Sequence, residues 1–418
     1  MTATTCSFLH AADLHLDSPF VGLGRVAPGL ARRLRDASLD AFDGLVKAAI
    51  DHRVDFVVLA GDLYDGARRG LRAQLRFLTG LRRLDAAGIY TFIAHGNHDP
   101  VDEGWSAIDR WPDRVHVFPS DAVASIRLDL PGGPVTVHGI SYARREQLES
   151  LVPRFHRATT PGLHVAVLHA NVGADNAHAA YSPTTVEALA AAGFDYWALG
   201  HVHRAAVLRA AAPRIVYPGN LQGRSFKPSE RGAKGAWLVQ HASSGWKDLF
   251  LPLAPCRFEE MQRPMAGILD VPTLVDMLED DLHALVGQGG QTSWVVRARL
   301  TGAGPLASLL RAPGHLAEML DRLRDAAPHN VHWAELIDES RAAIDIAARR
   351  GRDDLEGAVV EAADGLRDRP NELLTCVSGA GRPPSRMFDV IAPRTWDELL
   401  ERAVERALEQ LGGAEGQP

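Results

Sequence analysis

Short apolar runs alternate with helical stripes along the first part of the chain. Runs at residues 7–10, 55–60, 90–94, 135–140, 163–168 and 195–199 have the length of buried strands. Between them, residues 28–52, 71–87 and 183–192 carry apolar positions at helical spacing, and Gly88 ends the second stripe. Residues 207 to about 253 read as strands and turns. Strands alternating with helices predict a layered α/β domain.

The pattern changes around residues 254–264. A strand at 268–271, a helix at 273–286, a strand at 292–300, a helix at 306–326 and a strand at 331–337 predict a small α+β domain. After Ser340 the pattern is mostly helical. Residues 379–385 have a linker composition, and 396–411 form a last amphipathic helix with Trp396, Leu400, Ala403, Val404, Ala407 and Leu411 on one face. That face either packs on its own chain or docks on a partner. Residues 412–418 are expected to be disordered. The chain thus divides into 1–255, 256–345 and 346–418, with no internal repeat.

Composition excludes several classes. Hydrophobic residues are 46% and charged residues 23% of the 418 positions, which suits a soluble globular protein and not a disordered or collagenous one. No apolar run is long enough to span a bilayer, and residues 1–10 lack the layout of a secretory signal. Cys6, Cys256 and Cys376 are too scattered for a zinc knuckle or a disulfide framework, so a cytoplasmic location is expected. The net charge of −7 argues, as an average, against a nucleic-acid coat. Locally the balance differs. Residues 200–234 hold seven basic side chains and one acidic one, Glu230, and a second basic run is Arg68, Arg69, Arg72 and Arg76. Residues 259–281 reverse this, with seven acidic side chains against Arg263. All but four of the 45 basic residues are arginine, which suits phosphate recognition, although a GC-rich coding bias gives the same excess.

Five polar clusters each follow a strand. Asp13 and His15 lie in HAADLHLD, Asp62 in LAGDLYD, Asn97 and His98 in AHGNHDP, His169 in VAVLHAN, and His201 and His203 in ALGHVH. Loops at the carboxyl ends of strands in open α/β sheets converge on one edge. Imidazole with carboxylate suits divalent manganese, iron or zinc. Leaving His98 aside, seven donors are too many for one ion and suit two that share a bridging carboxylate, for which Asp62 is the candidate.

The order DLH, GDLYD, GNHD, H, GHVH resembles the calcineurin-like metallophosphoesterase superfamily. HAADLHLDSPF, YPGNLQGRSF and the chain length are similar to bacterial SbcD-type DNA repair exonucleases, nearest the YhaO-like branch; the likeness covers about residues 5–255. It implies a four-layer sandwich of two mixed β-sheets flanked by helices, with a small α+β cap and a helical tail. It implies a first metal on Asp13, His15, Asp62 and His203, a second on Asp62, Asn97, His169 and His201, and His98 as the catalytic histidine. Asp99 either orients His98 or caps a turn. Asp65 stands where archaeal and eukaryotic relatives carry a second histidine. The implied cofactors are two divalent ions, Mn2+ foremost and Fe2+ or Zn2+ as alternatives. The implied partners are DNA, an SbcC-like coiled-coil ATPase and a second copy of the chain. Arg204, Arg224 and Lys227 are the expected phosphate contacts, and Phe226 or Tyr217 either stacks on a base or packs in the core. The competing expectations are a small-molecule phosphodiesterase or phosphatase, and an inactive metal-bound scaffold. The scaffold would lack ligands, and none is missing.

Overall fold

In the strand Phe56–Ala60 every residue is buried, and alternate residues serve different cores. Phe56, Val58 and Ala60 join one apolar cluster while Val57 and Leu59 join another. Leu163–His169 and Tyr196–Gly200 divide in the same way, with Val165, Val167, Tyr196 and Ala198 inward and Ala166, Leu168, Trp197 and Leu199 outward. A period of two with both faces covered is the mark of central strands.

The computed structural model describes residues 4–18, 28–66, 70–103, 105–173, 181–287, 292–367, 400–408 and 411. Expectations for Arg68, Arg69, the 379–385 linker, Trp396 and the 412–418 tail lie outside the described residues.

Two six-stranded mixed sheets form the sandwich. The first runs Gly245–Pro252, Gly235–Ala242, Thr4–Ala11, Phe56–Ala60, Tyr90–Ala94 and Val115–Val117. The second runs Ala124–Leu130, Gly133–Gly139, Leu163–His169, Tyr196–Gly200, Arg214–Tyr217 and Ala206–Arg209. Phe8, Phe56 and Phe92 from the first meet Val137, Val165 and Tyr196 from the second in a shared core. Helices Pro28–Asp51 and Leu71–Ala86 cover the first sheet's other face through Phe42, Leu45, Phe77 and Leu81. The second sheet's other face is covered by Leu151, Phe155, Leu189 and Phe194. The expected sandwich is therefore present. Its central strands are parallel, so their carboxyl ends share an edge.

A third sheet orders Cys256–Pro264, Ser293–Gly304 and Val331–Ala342. The expected strand at 268–271 is not formed; these residues lead into helix Val271–Val286. Asp270 accepts from Thr273 N at 2.8 Å and Pro272 opens the first turn, so capping chemistry outweighs a short apolar run. The chain divides into two compact units. One is Met1–Glu260 with Gln288–Arg297 and Ala327–Ala334; the other is Met261–Gly287 with Ala298–Ala326 and Glu335–Pro418. Within the second, residues 400–408 are helical, and Val404 and Leu408 pack on Val360, with Ile344 and Val359 beside them. Val404 and Leu408 of the last helix are thus covered by their own chain, while Ala403 is exposed.

Candidate metal centre

Four of the seven expected ligands sit in strained backbone. Asp13, His15, Asp62 and His201 have φ of 50°, 42°, 52° and 102°, a region that costs a non-glycine residue energy and is held only when its surroundings insist. Backbone bonds supply the insistence. Asp13 N donates to Gly61 O and His15 N to Asp62 O, each at 3.0 Å, and Leu221 N donates to Asp13 O at 3.3 Å. The loops after the first two strands therefore brace each other. Space is also reserved. A Cβ on Gly96 would lie 2.3 Å from Asp62 Oδ1, and one on Gly61 2.1 Å from His169 Nδ1.

These loops bring all seven residues together. Asp13, His15 and His203 each offer a ligand atom within 4.8 Å of the others, as do Asp13, Asp62 and His169. His169 Nε2 is 3.0 Å from Asn97 Oδ1, 3.4 Å from Asp62 Oδ2 and 3.3 Å from His201 Nδ1. His15 Nε2 is 3.1 Å from His203 Nε2 and 4.0 Å from Asp62 Oδ2.

The donor set fits divalent cations because acceptors face acceptors. His169 Nδ1 lies 3.0 Å from Ala60 O, and a carbonyl can only accept, so Nδ1 carries the proton and Nε2 of the neutral ring presents a lone pair. That lone pair meets a carbonyl oxygen and a carboxylate. His203 Nδ1 lies 2.5 Å from Glu230 Oε1, which directs its Nε2 lone pair at His15. Buried acceptors crowded in this way need a cation between them.

Electrostatics agree. Burial disfavours the His169 cation, but Asp62, Asp13 and the Ala60 hydrogen bond together outweigh it and raise the imidazole to about 9. Burial likewise works against the Asp62 anion, yet His169 and His15 hold its carboxyl far below the usual range. Burial lifts the Asp13 carboxyl to about 6. Burial, with Arg224 and His203 beside it, holds the His15 imidazole well below its ordinary value, so the cluster joins a neutral imidazole lone pair to an ionised carboxylate.

His98 stands beside the cluster, its ring 5.0 Å from that of His15. Its backbone N donates to Asp62 Oδ1 at 2.9 Å, and its Nδ1 is 2.7 Å from Asp65 Oδ1. The Asp65 hydrogen bond raises the His98 pKa, and the same bond holds the Asp65 carboxyl far down. Of the two roles expected of Asp99, its contacts are those of a turn cap, and the carboxylate on the His98 ring is Asp65. Asp99 accepts from Leu63 N and Gly96 N and faces His95 Nδ1, each at 3.0 Å. It points inward and is fully buried, whereas Asp65 lies at the rim.

The expected phosphate contacts separate. Arg224 donates to Ser18 Oγ at 2.6 Å and Asp65 Oδ2 at 3.0 Å, bracing the carboxylate that holds His98. Arg204 and Lys227 are exposed, and their side chains have no hydrogen bond or ion pair among the described residues. The rest of the basic stretch is internally engaged. Arg214 pairs with Asp248 and Arg231 with Glu260, while Lys234 is buried on backbone carbonyls. Tyr217 is a core residue, buried with its hydroxyl on Ala170 O, while Phe226 is half-buried, edge-on against Phe258 beneath Arg297. Arg72 and Arg76 pair with Asp36, Asp40 and Asp43 of the preceding helix.

Sequence reasoning missed Asp65 and Glu230 as working residues. Asp65 had a signal, its place in GDLYD; Glu230 had none beyond being the lone acid of a basic stretch.

Residues 6–205 match the calcineurin-like phosphoesterase family, and residues 258–341 match the middle domain of the metallophosphoesterase YhaO. The chain is similar to the uncharacterized metallophosphoesterase YhaO of Bacillus subtilis (strain 168), 35% identical over 341 residues, which are 80% of this chain and 82% of that protein. It is 27% identical over 241 residues to the DNA double-strand break repair protein Mre11 of Sulfurisphaera tokodaii, covering 55% of this chain and 58% of that one. It is 25% identical over 282 residues to one of the subunits of the nuclease SbcCD of Bacillus subtilis (strain 168), covering 58% of this chain and 69% of that one.

Proposed function

The chain belongs to the calcineurin-like metallophosphoesterase family, and on that premise we propose that it hydrolyses phosphodiester bonds of DNA as a two-metal exonuclease or endonuclease. The observation that carries the reading is the acceptor-on-acceptor cluster with a carboxylate-held histidine at its rim. Asp13, His15, Asp62 and His203 would hold one ion, and Asp62, Asn97, His169 and His201 the other. When bound, two divalent ions, Mn2+ foremost and Fe2+ or Zn2+ as alternatives, supply Lewis-acid polarisation and a water-derived nucleophile. His98, its ring held by Asp65 and its pKa raised by that bond, would donate to a phosphoryl oxygen or to the leaving oxygen. Arg204 and Lys227 meet flanking phosphates. Relatives named for double-strand break repair and for the SbcCD nuclease support DNA as the substrate. The same reading gives residues 256–345 the role of a cap over DNA entry. It adds an SbcC-like ATPase and a second copy of the chain as partners, and a cytoplasmic setting. No helix among the described residues is long and apolar enough to cross a membrane.

One observation favours a second reading. Most of the basic stretch is paired within the protein, leaving few free cations for a polymer, which suits a small-molecule phosphodiesterase or phosphatase. The test is cleavage of linear duplex, hairpin and single-stranded DNA with and without Mn2+, beside cyclic nucleotides and bis(p-nitrophenyl) phosphate. Mn2+-dependent DNA degradation is expected. Hydrolysis of the small esters with every DNA substrate intact would establish the second reading.

A further inference from the structure

The lone acid of the basic stretch is almost fully buried, and each of its oxygens has a partner. Glu230 is 5% exposed. Its Oε1 lies 2.5 Å from His203 Nδ1, and its Oε2 accepts from Asn220 Nδ2 at 2.8 Å and Arg224 N at 2.9 Å. A buried carboxylate with both oxygens bound cannot swing away. His203 is gripped a second time at its backbone, where Lys234 Nζ donates to His203 O at 2.6 Å and also bonds Ser229 O. The approach is close. A Cβ on Gly223 would stand 2.1 Å from Glu230 O, so only glycine fits there.

We propose that Glu230 is the positioning residue of the Asp13–His15–His203 metal site, fixing which nitrogen of His203 faces the metals. A neutral imidazole offers one lone pair, and its tautomer is set by whatever the other nitrogen bonds. Glu230 can only accept, so it keeps the proton on Nδ1. Nε2 is then the ligand atom, 3.1 Å from His15 Nε2. With Glu230 neutralised, the proton can move to Nε2 and remove one donor from the set. His169 is fixed by a backbone carbonyl instead, Ala60 O, so its tautomer does not depend on Glu230. The loss is therefore confined to one of two ions. The inference rests on the two-metal reading but not on the identity of the substrate.

The test is Mn2+ titration of the full chain by calorimetry, with melting of the chelator-treated protein alongside. Wild type is expected to bind two ions. Glu230→Gln keeps the shape and is expected to bind one ion as wild type does and the other about 10–100-fold more weakly, with melting nearly unchanged. In a His203→Ala background, Glu230→Gln should weaken binding no further. Two ions bound by Glu230→Gln with wild-type affinity would overturn the proposal. So would equal weakening at both sites with a large drop in melting temperature, which marks a fold tie, or an additional loss in the His203→Ala background. Wild type that binds two ions yet cleaves no DNA would sink the nuclease reading alone.

Discussion

At the scale of single residues, the site separates two duties between two carboxylates three positions apart. Asp62 is buried among the ligands, while Asp65 sits at the rim and holds His98 with help from Ser18 and Arg224. Asp65→Asn is expected to cut turnover by about 10–100-fold while two Mn2+ ions still bind; a variant that loses metal instead would place Asp65 among the ligands. Gly96→Ala is expected to abolish Mn2+ binding without unfolding the protein, because its Cβ would lie 2.3 Å from Asp62 Oδ1. Metal titration with circular dichroism checks both halves. The proposed ligands were legible in the sequence because each follows a strand and its residue type declares its chemistry. Their supports were less so. Glu230 touches His203 across 27 positions, a pairing no local pattern encodes.

At the scale of elements, helices Pro28–Asp51 and Leu71–Ala86 show packing overriding propensity. Glycine inside a helix costs about 1 kcal/mol relative to alanine, so Gly80→Ala would ordinarily stabilise. Here a Cβ on Gly80 would stand 2.4 Å from the buried Phe42 ring and 3.1 Å from Val46 Cγ2. Overpacking of about 1–3 kcal/mol should win, and a lower urea midpoint for Gly80→Ala is the expected result. The last helix makes a related point. Its apolar face was readable, but not what covers it. Val404 and Leu408 lie on Val360, so Val404→Asp should destabilise by on the order of 2 kcal/mol or more, measurable as a shift in denaturant unfolding. The expected strand at 268–271 failed for a local reason, the Asp270 cap.

At the scale of the whole molecule, charge and pH behave as sums of local environments. The net charge of −7 conceals ion pairs that consume most of the cations beside the metal loops. Buried neutral histidines set an acid limit. Burial lowers His10 to about 3 and His138 to about 4, against 6.5 for the ordinary group. The unfolded chain takes up these protons below about pH 6.5, while the folded chain resists until much lower. Their stabilising contribution is therefore whole above pH 6.5 and declines as pH falls toward 4. Urea unfolding from pH 7 to 4 should show this decline, and His138→Gln should flatten part of it. An unchanged slope in that variant would remove His138 from the account.

The positions of the strands, the chemistry of the seven proposed ligands and their place at the carboxyl ends of strands were determined by the sequence itself. Strand periodicity and residue type are local properties, and parallel strands leave their loops no other place to meet. What only the tertiary structure decided is which polar groups face each other. Asp65 rather than Asp99 holds His98, Glu230 orients His203, and Arg224 braces Asp65. Such pairings depend on distances of a few tenths of an ångström between residues far apart in the chain, and those distances exist only once both sheets have packed.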